Sequence, residues 1–198
     1  IDKLGRYIMH MACQQCNDLV SSFYPDNKLK VAINISPSHF LQDDFVEQVK
    51  SITENYSMQN MQLVLEITEE VTIGDIEDVI KKMNQLRRLH VHFSLDDFGT
   101  GYSSLTYLKQ LPIDTVKIDK SFIQELHENK DDASIVEAIL TMTRALEIDV
   151  IAEGIENQSQ YKFLSNLHCQ YYQGYYFGKP ESVAALIENG DLIDKRAI

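Results

Sequence analysis

Four carboxylates, Glu66, Asp96, Asp97 and Glu153, fall at or just after the ends of short β-branched runs. Asn34, Lys117, Asp119 and Gln173 sit at the ends of similar runs. Acids gathered in one place repel: two unit charges about 4 Å apart cost roughly 4 kcal/mol at an effective dielectric of about 20. Two Mg²⁺ or Mn²⁺ ions would balance Glu66, Asp96, Asp97 and Glu153 with the hard oxygen ligands those ions prefer. The adjacent pair Asp96 and Asp97 suits a site where one carboxylate bridges two ions and its neighbour reaches the second. Paired cations serve phosphodiester hydrolysis by activating water and stabilising charge on the attacking and leaving oxygens. Lys117 adds a cation for a phosphate.

These residues lie about 140 positions apart in the chain, so the elements between them must bring them together. Strand-like runs are expected at Lys30 to Ile35, Leu63 to Ile67, Val91 to Leu95, Thr115 to Ile118, Val150 to Ala152 and Tyr171 to Phe177. Helical stretches are expected at Leu4 to Phe23 and near 39–54, 75–89, 120–145 and 157–167. Alternation of strands and helices requires parallel pairing, as a (β/α)8 barrel or an open doubly wound sheet, and the barrel is preferred. In a parallel barrel the C-terminal strand edges share the face where active sites are built. A barrel of this type spans about 250 residues; at 198 residues the chain is short by roughly one βα unit. It begins with Ile1 rather than Met, which reads as a piece cut from a longer protein. Neither a repeat nor a Pro/Gly-rich linker divides it, so one domain is expected over 1–198, and Asn189 to Ile198 reads as a polar tail.

The string DDFGTGYSSL, Asp96 to Leu105, is the most specific in the chain: two acids leave a strand into a loop whose glycines permit unusual backbone angles. It approaches a dinucleotide fingerprint, but Ser104 stands where the third glycine belongs, and that reading is set aside. Glu69 could be an ordinary helix-start acid, and Glu153 and Glu156 a capping pair before the next helix. Cys13 and Cys16 form a C-x-x-C, but no second pair completes a zinc site, and packing in an amphipathic helix explains them. His10, His39, His90, His92, His127 and His168 show no ligand spacing. The run Tyr171, Tyr172, Tyr175, Tyr176, Phe177 reads as alternating core strand, with one ring free to stack on a base.

A formal net charge of -12 disfavours polymeric nucleic acid as a ligand. A small phosphate ester stays open if bound cations reverse the local field. Direct membrane insertion is not expected, since no window approaches the roughly eighteen apolar residues of a span. Three cysteines fit a reducing compartment, the cytoplasm, better than a disulfide framework. The parent protein could still be membrane-anchored.

The strings AINIS, LEITE, DDFGTGYSSL, LPIDTVKIDKSF, VIAEGIE and QGYYFGKP, in this order, resemble the EAL family of cyclic di-GMP phosphodiesterases over nearly the whole chain. The resemblance implies an α/β fold, a TIM-like (β/α)8 barrel of EAL type with one antiparallel strand. It also implies a two-metal site (Mg²⁺ or Mn²⁺) that opens cyclic di-GMP to linear pGpG. By motif position Asn34, Glu66 and Asp96 correspond to ligands of one metal, and Asp96, Asp97 and Glu153 to ligands around the second. Glu153 corresponds to the general base and Lys117 to the lysine that holds the water or phosphate. Asp119, Gln173, Glu156 and Pro180 fall at or near the substrate, and Glu69 matches a glutamate that steadies the DDFGTGYSS loop, which points to a homodimer. The Glu-Ala-Leu strand and its metal-ligand glutamate are expected to precede Ile1. The alternative is a degenerate module that binds cyclic di-GMP, or a protein partner, without hydrolysis.

Overall fold

A computed structural model describes residues 2–23, 29–56, 58–72, 75–100, 105–126 and 129–189 of the chain. The chain divides into two compact units, Ile1–Ser94 with Ser104–Pro112, and Leu95–Ser103 with Ile113–Ile198.

The first unit runs α1 (Asp2–Phe23), β1 (Leu29–Ile35), α2 (Pro37–Phe40), α3 (Phe45–Asn55), β2 (Met61–Thr68), a 3-10 turn (Glu69–Thr72) and α4 (Ile76–Arg87). Then β3 (His92–Phe98) begins, and α5 (Leu105–Gln110) completes the unit. Alternation along the strands decides which side is core: Val31, Ile33 and Ile35 of β1 and Met61, Leu63, Leu65 and Ile67 of β2 are buried. The residues between them face the other side. β1 and β2 pair in parallel, with Asn34 opposite Glu66. Apolar stripes on the helices bury Phe45, Val49 and Ile52 of α3 and Val79, Met83 and Leu86 of α4. Lys82 is also buried, its ammonium donating to the carbonyls of Leu41 at 2.9 Å and Gln42 at 3.2 Å and so tying α4 to the turn before α3.

β3 crosses the division, and the second unit continues with β4 (Thr115–Ile118), α6 (Lys120–Gln124), α7 (Lys130–Ala145), β5 (Asp149–Ala152), α8 (Gln158–Asn166), β6 (Tyr171–Tyr172) and α9 (Val183–Asn189). Here β5 lies between β4 and β6, both parallel to it. Short connections carry the ladder past the strand ends: Glu153 N donates to Ile118 O at 3.1 Å and Gln173 N to Ala152 O at 2.9 Å. Asp119, Glu153 and Gln173 are therefore aligned at one C-terminal edge.

The strands expected from β-branched runs are present, each within a few residues. One expectation fails: the strand placed at Tyr171 to Phe177 stops at Tyr172. Tyr176 N donates to Ile155 O at 3.0 Å, and Phe177 N and Gly178 N turn back to Gly174 O, so the backbone leaves the ladder. Tyr171, Tyr175 and Tyr176 are exposed rather than core. The stretch 120–145 is two helices, because the Asn129 side chain caps α7 by accepting from Asp131 N at 2.9 Å. The stretch 39–54 is also two, separated by the turn after Phe40. All pairings between β1 and β2 and among β4, β5 and β6 are parallel; the antiparallel strand implied by the resemblance is not among them. Gly101–Ser104, His127 and most of the tail from Asn189 lie outside the described residues.

Candidate active site

Neighbouring residues on a strand point to opposite faces, yet Asp96 and Asp97 both contribute to one cluster. The backbone explains this: Asp97 has φ 53°, in the left-handed region, where aspartate is better tolerated than most residues. That turn breaks the alternation at the end of β3. One carboxylate oxygen from each of Asp96, Asp97 and Glu153 lies within 4.8 Å of the others.

Lys117 supplies the positive charge. It is only 4% exposed, its stem packed in β4. Its Nζ lies 3.0 Å from Asp96 Oδ1 and 2.7 Å from Glu153 Oε1. Three carboxylates against one ammonium leave the cluster negative. Its strain is visible at Asp97, whose carboxyl is pushed above the ordinary 3.8 by loss of hydration, the charges of Asp96 and Asp119 and a hydrogen bond with Asp119, against the opposing pull of Lys117. An all-oxygen donor set with surplus negative charge fits a hard divalent cation such as Mg²⁺ or Mn²⁺, and a bound cation would relieve the repulsion.

Asp119 carries a structural role that also fixes its position. As N-cap of α6 its Oδ1 accepts from Ser121 N at 2.9 Å. Burial acts to raise its carboxyl, but the hydrogen bonds from Ser121 and Lys120 and the Lys120 charge outweigh it and hold the group below the ordinary 3.8.

Beside the cluster a cavity of about 270 Å³ is lined by Lys120, Gln124, Glu153, Gly154, Glu156, Gln173, Gly174 and Tyr175. Glu153 thus belongs to both cluster and cavity, and Glu156 and Gln173 line the same cavity. Pro180 is exposed and is not among the lining residues. Lys120 and Gln124 were not singled out from the sequence, and Tyr175 belongs to the aromatic run that the sequence read as core strand with one ring free to stack on a base. The signal that could have found Lys120 is its place directly after Asp119, at the start of a helix following a strand end. Gly154 reports the tightness here: at φ 69°, a Cβ on it would come 2.5 Å from the Cβ of Lys120.

In the first unit Asn34 and Glu66 are register partners near the C-terminal ends of β1 and β2, Glu66 only 7% exposed and Asn34 exposed. They face away from Ile33, Ile35, Leu65 and Ile67, as paired polar residues on one side of a parallel ladder must. Glu69 opens the 3-10 turn directly after β2 and is half-buried, its carbonyl accepting from Thr72 Oγ1 at 2.7 Å. The loop Glu69 is expected to steady includes Gly101–Ser104, outside the described residues.

The EAL domain model matches residues 1–180 of this chain. The cyclic di-GMP phosphodiesterase NbdA of Pseudomonas aeruginosa is 38% identical over 188 residues, covering 95% of this chain and 24% of that protein. The bifunctional diguanylate cyclase/cyclic di-GMP phosphodiesterase MucR of the same organism is 36% identical, covering 94% of this chain and 27% of its own length. The chain thus spans about a quarter of these curated relatives. Among solved structures, the PaMucR phosphodiesterase in complex with c-di-GMP superposes with a TM-score of 0.85 at 36% identity, covering 93% of this chain and 74% of that one. The EAL domain of Mycobacterium smegmatis DcpA gives 0.87 at 34% identity, covering 94% and 83%. The α/β fold is that of these TIM-like barrels, and the chain belongs to the EAL domain family.

Proposed function

We propose that this chain is the catalytic portion of a metal-dependent phosphodiesterase that hydrolyses one ester bond of cyclic di-GMP to linear pGpG. The observation that carries the proposal is the meeting of Asp96, Asp97 and Glu153 around the buried Lys117 ammonium. The names of the relatives support the substrate. Asp96, Asp97 and Glu153 would hold one divalent cation, and by motif position Asn34 and Glu66 are assigned to a second. When bound, such ions polarise the phosphoryl group and lower the pKa of a coordinated water. Glu153 takes the proton of the attacking water. Lys117 orients Glu153 through the 2.7 Å contact and donates to a phosphate oxygen or the water. The cavity lined by Glu156, Gln173 and Lys120 receives the nucleotide, while Asp119 and Pro180 are assigned to the substrate by motif position alone.

A cytoplasmic location is the reading that the free thiols Cys13, Cys16 and Cys169 support, and a homodimer is the one that the match of Glu69 and the DDFGTGYSS loop to the family supports. Among the described residues no helix is long and apolar enough to cross a membrane.

The test is incubation with cyclic di-GMP and Mg²⁺ or Mn²⁺, resolving products by chromatography. The chain extended through the Glu-Ala-Leu strand is expected to make pGpG, with Ca²⁺ inhibiting because its looser shell does not suit a tight two-ion geometry. Binding of the nucleotide without any pGpG would replace this reading with that of a receptor.

A further inference from the structure

We infer that Gln160 is a positioning residue for the candidate active site: its buried carboxamide sets the turn that carries Glu153 and Glu156. This rests on the function proposed above. Gln160 is only 4% exposed, unusual for a glutamine. Its Oε1 accepts from Glu156 N at 2.8 Å and from Asn157 N at 3.2 Å, and its Nε2 faces Gln124 O at 3.4 Å. Its own backbone N donates to Asn157 Oδ1 at 3.0 Å, closing a capping box at the start of α8.

An ordinary capping box would end there. This one reaches further, because Glu156 and Gln124 both line the 270 Å³ cavity, from the turn after β5 and from α6. The other end of the turn is held independently: Glu153 N donates to Ile118 O, and Ile155 N to Gln173 O at 3.1 Å. Ile155 O also accepts from Tyr176 N at 3.0 Å, so among the described residues Gln160 adds a side-chain hold directly on the Glu156 amide, and its loss shifts Glu156 more than Glu153. A group that binds substrate moves while the group assigned as base stays, so the change falls on KM rather than on kcat.

Two variants separate this from mere space filling. Gln160→Met keeps the bulk and removes both the acceptor and the Nε2 donor facing Gln124 O; Gln160→Glu keeps an acceptor oxygen for both amides but loses that donor and adds a buried charge. If Gln160 only filled space, Met would be benign and Glu damaging. Positioning reverses the order. In the extended protein, Gln160→Met is expected to raise KM for cyclic di-GMP roughly tenfold with kcat within about threefold, and Gln160→Glu to stay within about threefold of wild type in both.

Amide hydrogen exchange at Glu156 and Asn157 gives a readout that needs no activity. Protection is expected to fall roughly tenfold in the Met variant and to persist in the Glu variant. Unchanged exchange in Gln160→Met overturns the inference, as does faster exchange with unchanged KM. A wild-type protein that forms no pGpG defeats the proposed function, while the exchange measurement still decides whether Gln160 sets the turn.

Discussion

Lys117 Nζ bridges Glu153 and Asp96, 2.7 Å from one carboxylate and 3.0 Å from the other, from a position almost wholly out of water. Removing one member of such a buried set leaves the others uncompensated, typically at a cost of roughly 3 kcal/mol or more. Lys117→Met is therefore expected to lower unfolding free energy by about 3 kcal/mol in denaturant melts, with Mg²⁺ or Mn²⁺ restoring part of it. Wild-type stability in this variant would show that the ammonium does not compensate the acids.

Asp119 stabilises the native state in its ionised form. Its folded pKa is below the unfolded 3.8, so this contribution is present above pH 3.8 and lost as pH falls through the lower folded value. Asp119→Ala also removes an N-cap, which costs about 1 kcal/mol. The stability difference between wild type and Asp119→Ala, measured by urea unfolding, is expected to be full at pH 7 and to shrink below pH 4. A difference independent of pH would mean that the cap hydrogen bond does not depend on charge.

The thiols of Cys13 and Cys169 are pushed up to about 11 from an ordinary 9.0, chiefly by burial, with the neighbouring Cys16 adding to the shift at Cys13. Because the folded state favours the protonated thiol, this stability is present below pH 9 and is lost as pH rises from about 9 towards 11. Alkylation at pH 8 is expected to be slow at both sites compared with the unfolded chain, and melting temperature to fall across that alkaline window. Rapid modification of Cys169 at pH 8 would place it outside the core.

Gly154 accepts a left-handed backbone and leaves no room for a side chain against Lys120. Gly154→Ala is expected to cost roughly 1–2 kcal/mol from the backbone alone and to weaken nucleotide binding by displacing Lys120 at the cavity wall. Calorimetric titration with cyclic di-GMP checks this; unchanged affinity would remove Lys120 from the binding surface.

What the sequence revealed, and what it hid, divides along a physical line. Strand identity follows from local β-branched runs, so Leu29–Ile35 and Thr115–Ile118 were legible, and with them the places of Asn34, Lys117, Glu153 and Gln173 at C-terminal edges. Asp96 and Asp97 stood out by type, but only the backbone at Asp97 shows how adjacent side chains reach one cluster. Contacts made across long stretches of chain were hidden. Gln160 meets the carbonyl of Gln124, 36 residues earlier, and no local pattern announces it. Tyr175 and Tyr176 misled because aromatic alternation resembles a strand, while the hydrogen bond from Tyr176 to Ile155, twenty-one residues before it, turns the chain outward.

The central assignment is Glu153 as the base, held by Lys117 beside Asp96 and Asp97. Its most direct test is Glu153→Gln in the extended protein, comparing single-turnover formation of pGpG with calorimetric binding of cyclic di-GMP. The expected result is a rate lowered by roughly a thousandfold with nucleotide affinity changed only a few-fold. Hydrolysis at the wild-type rate would contradict it and place the base elsewhere.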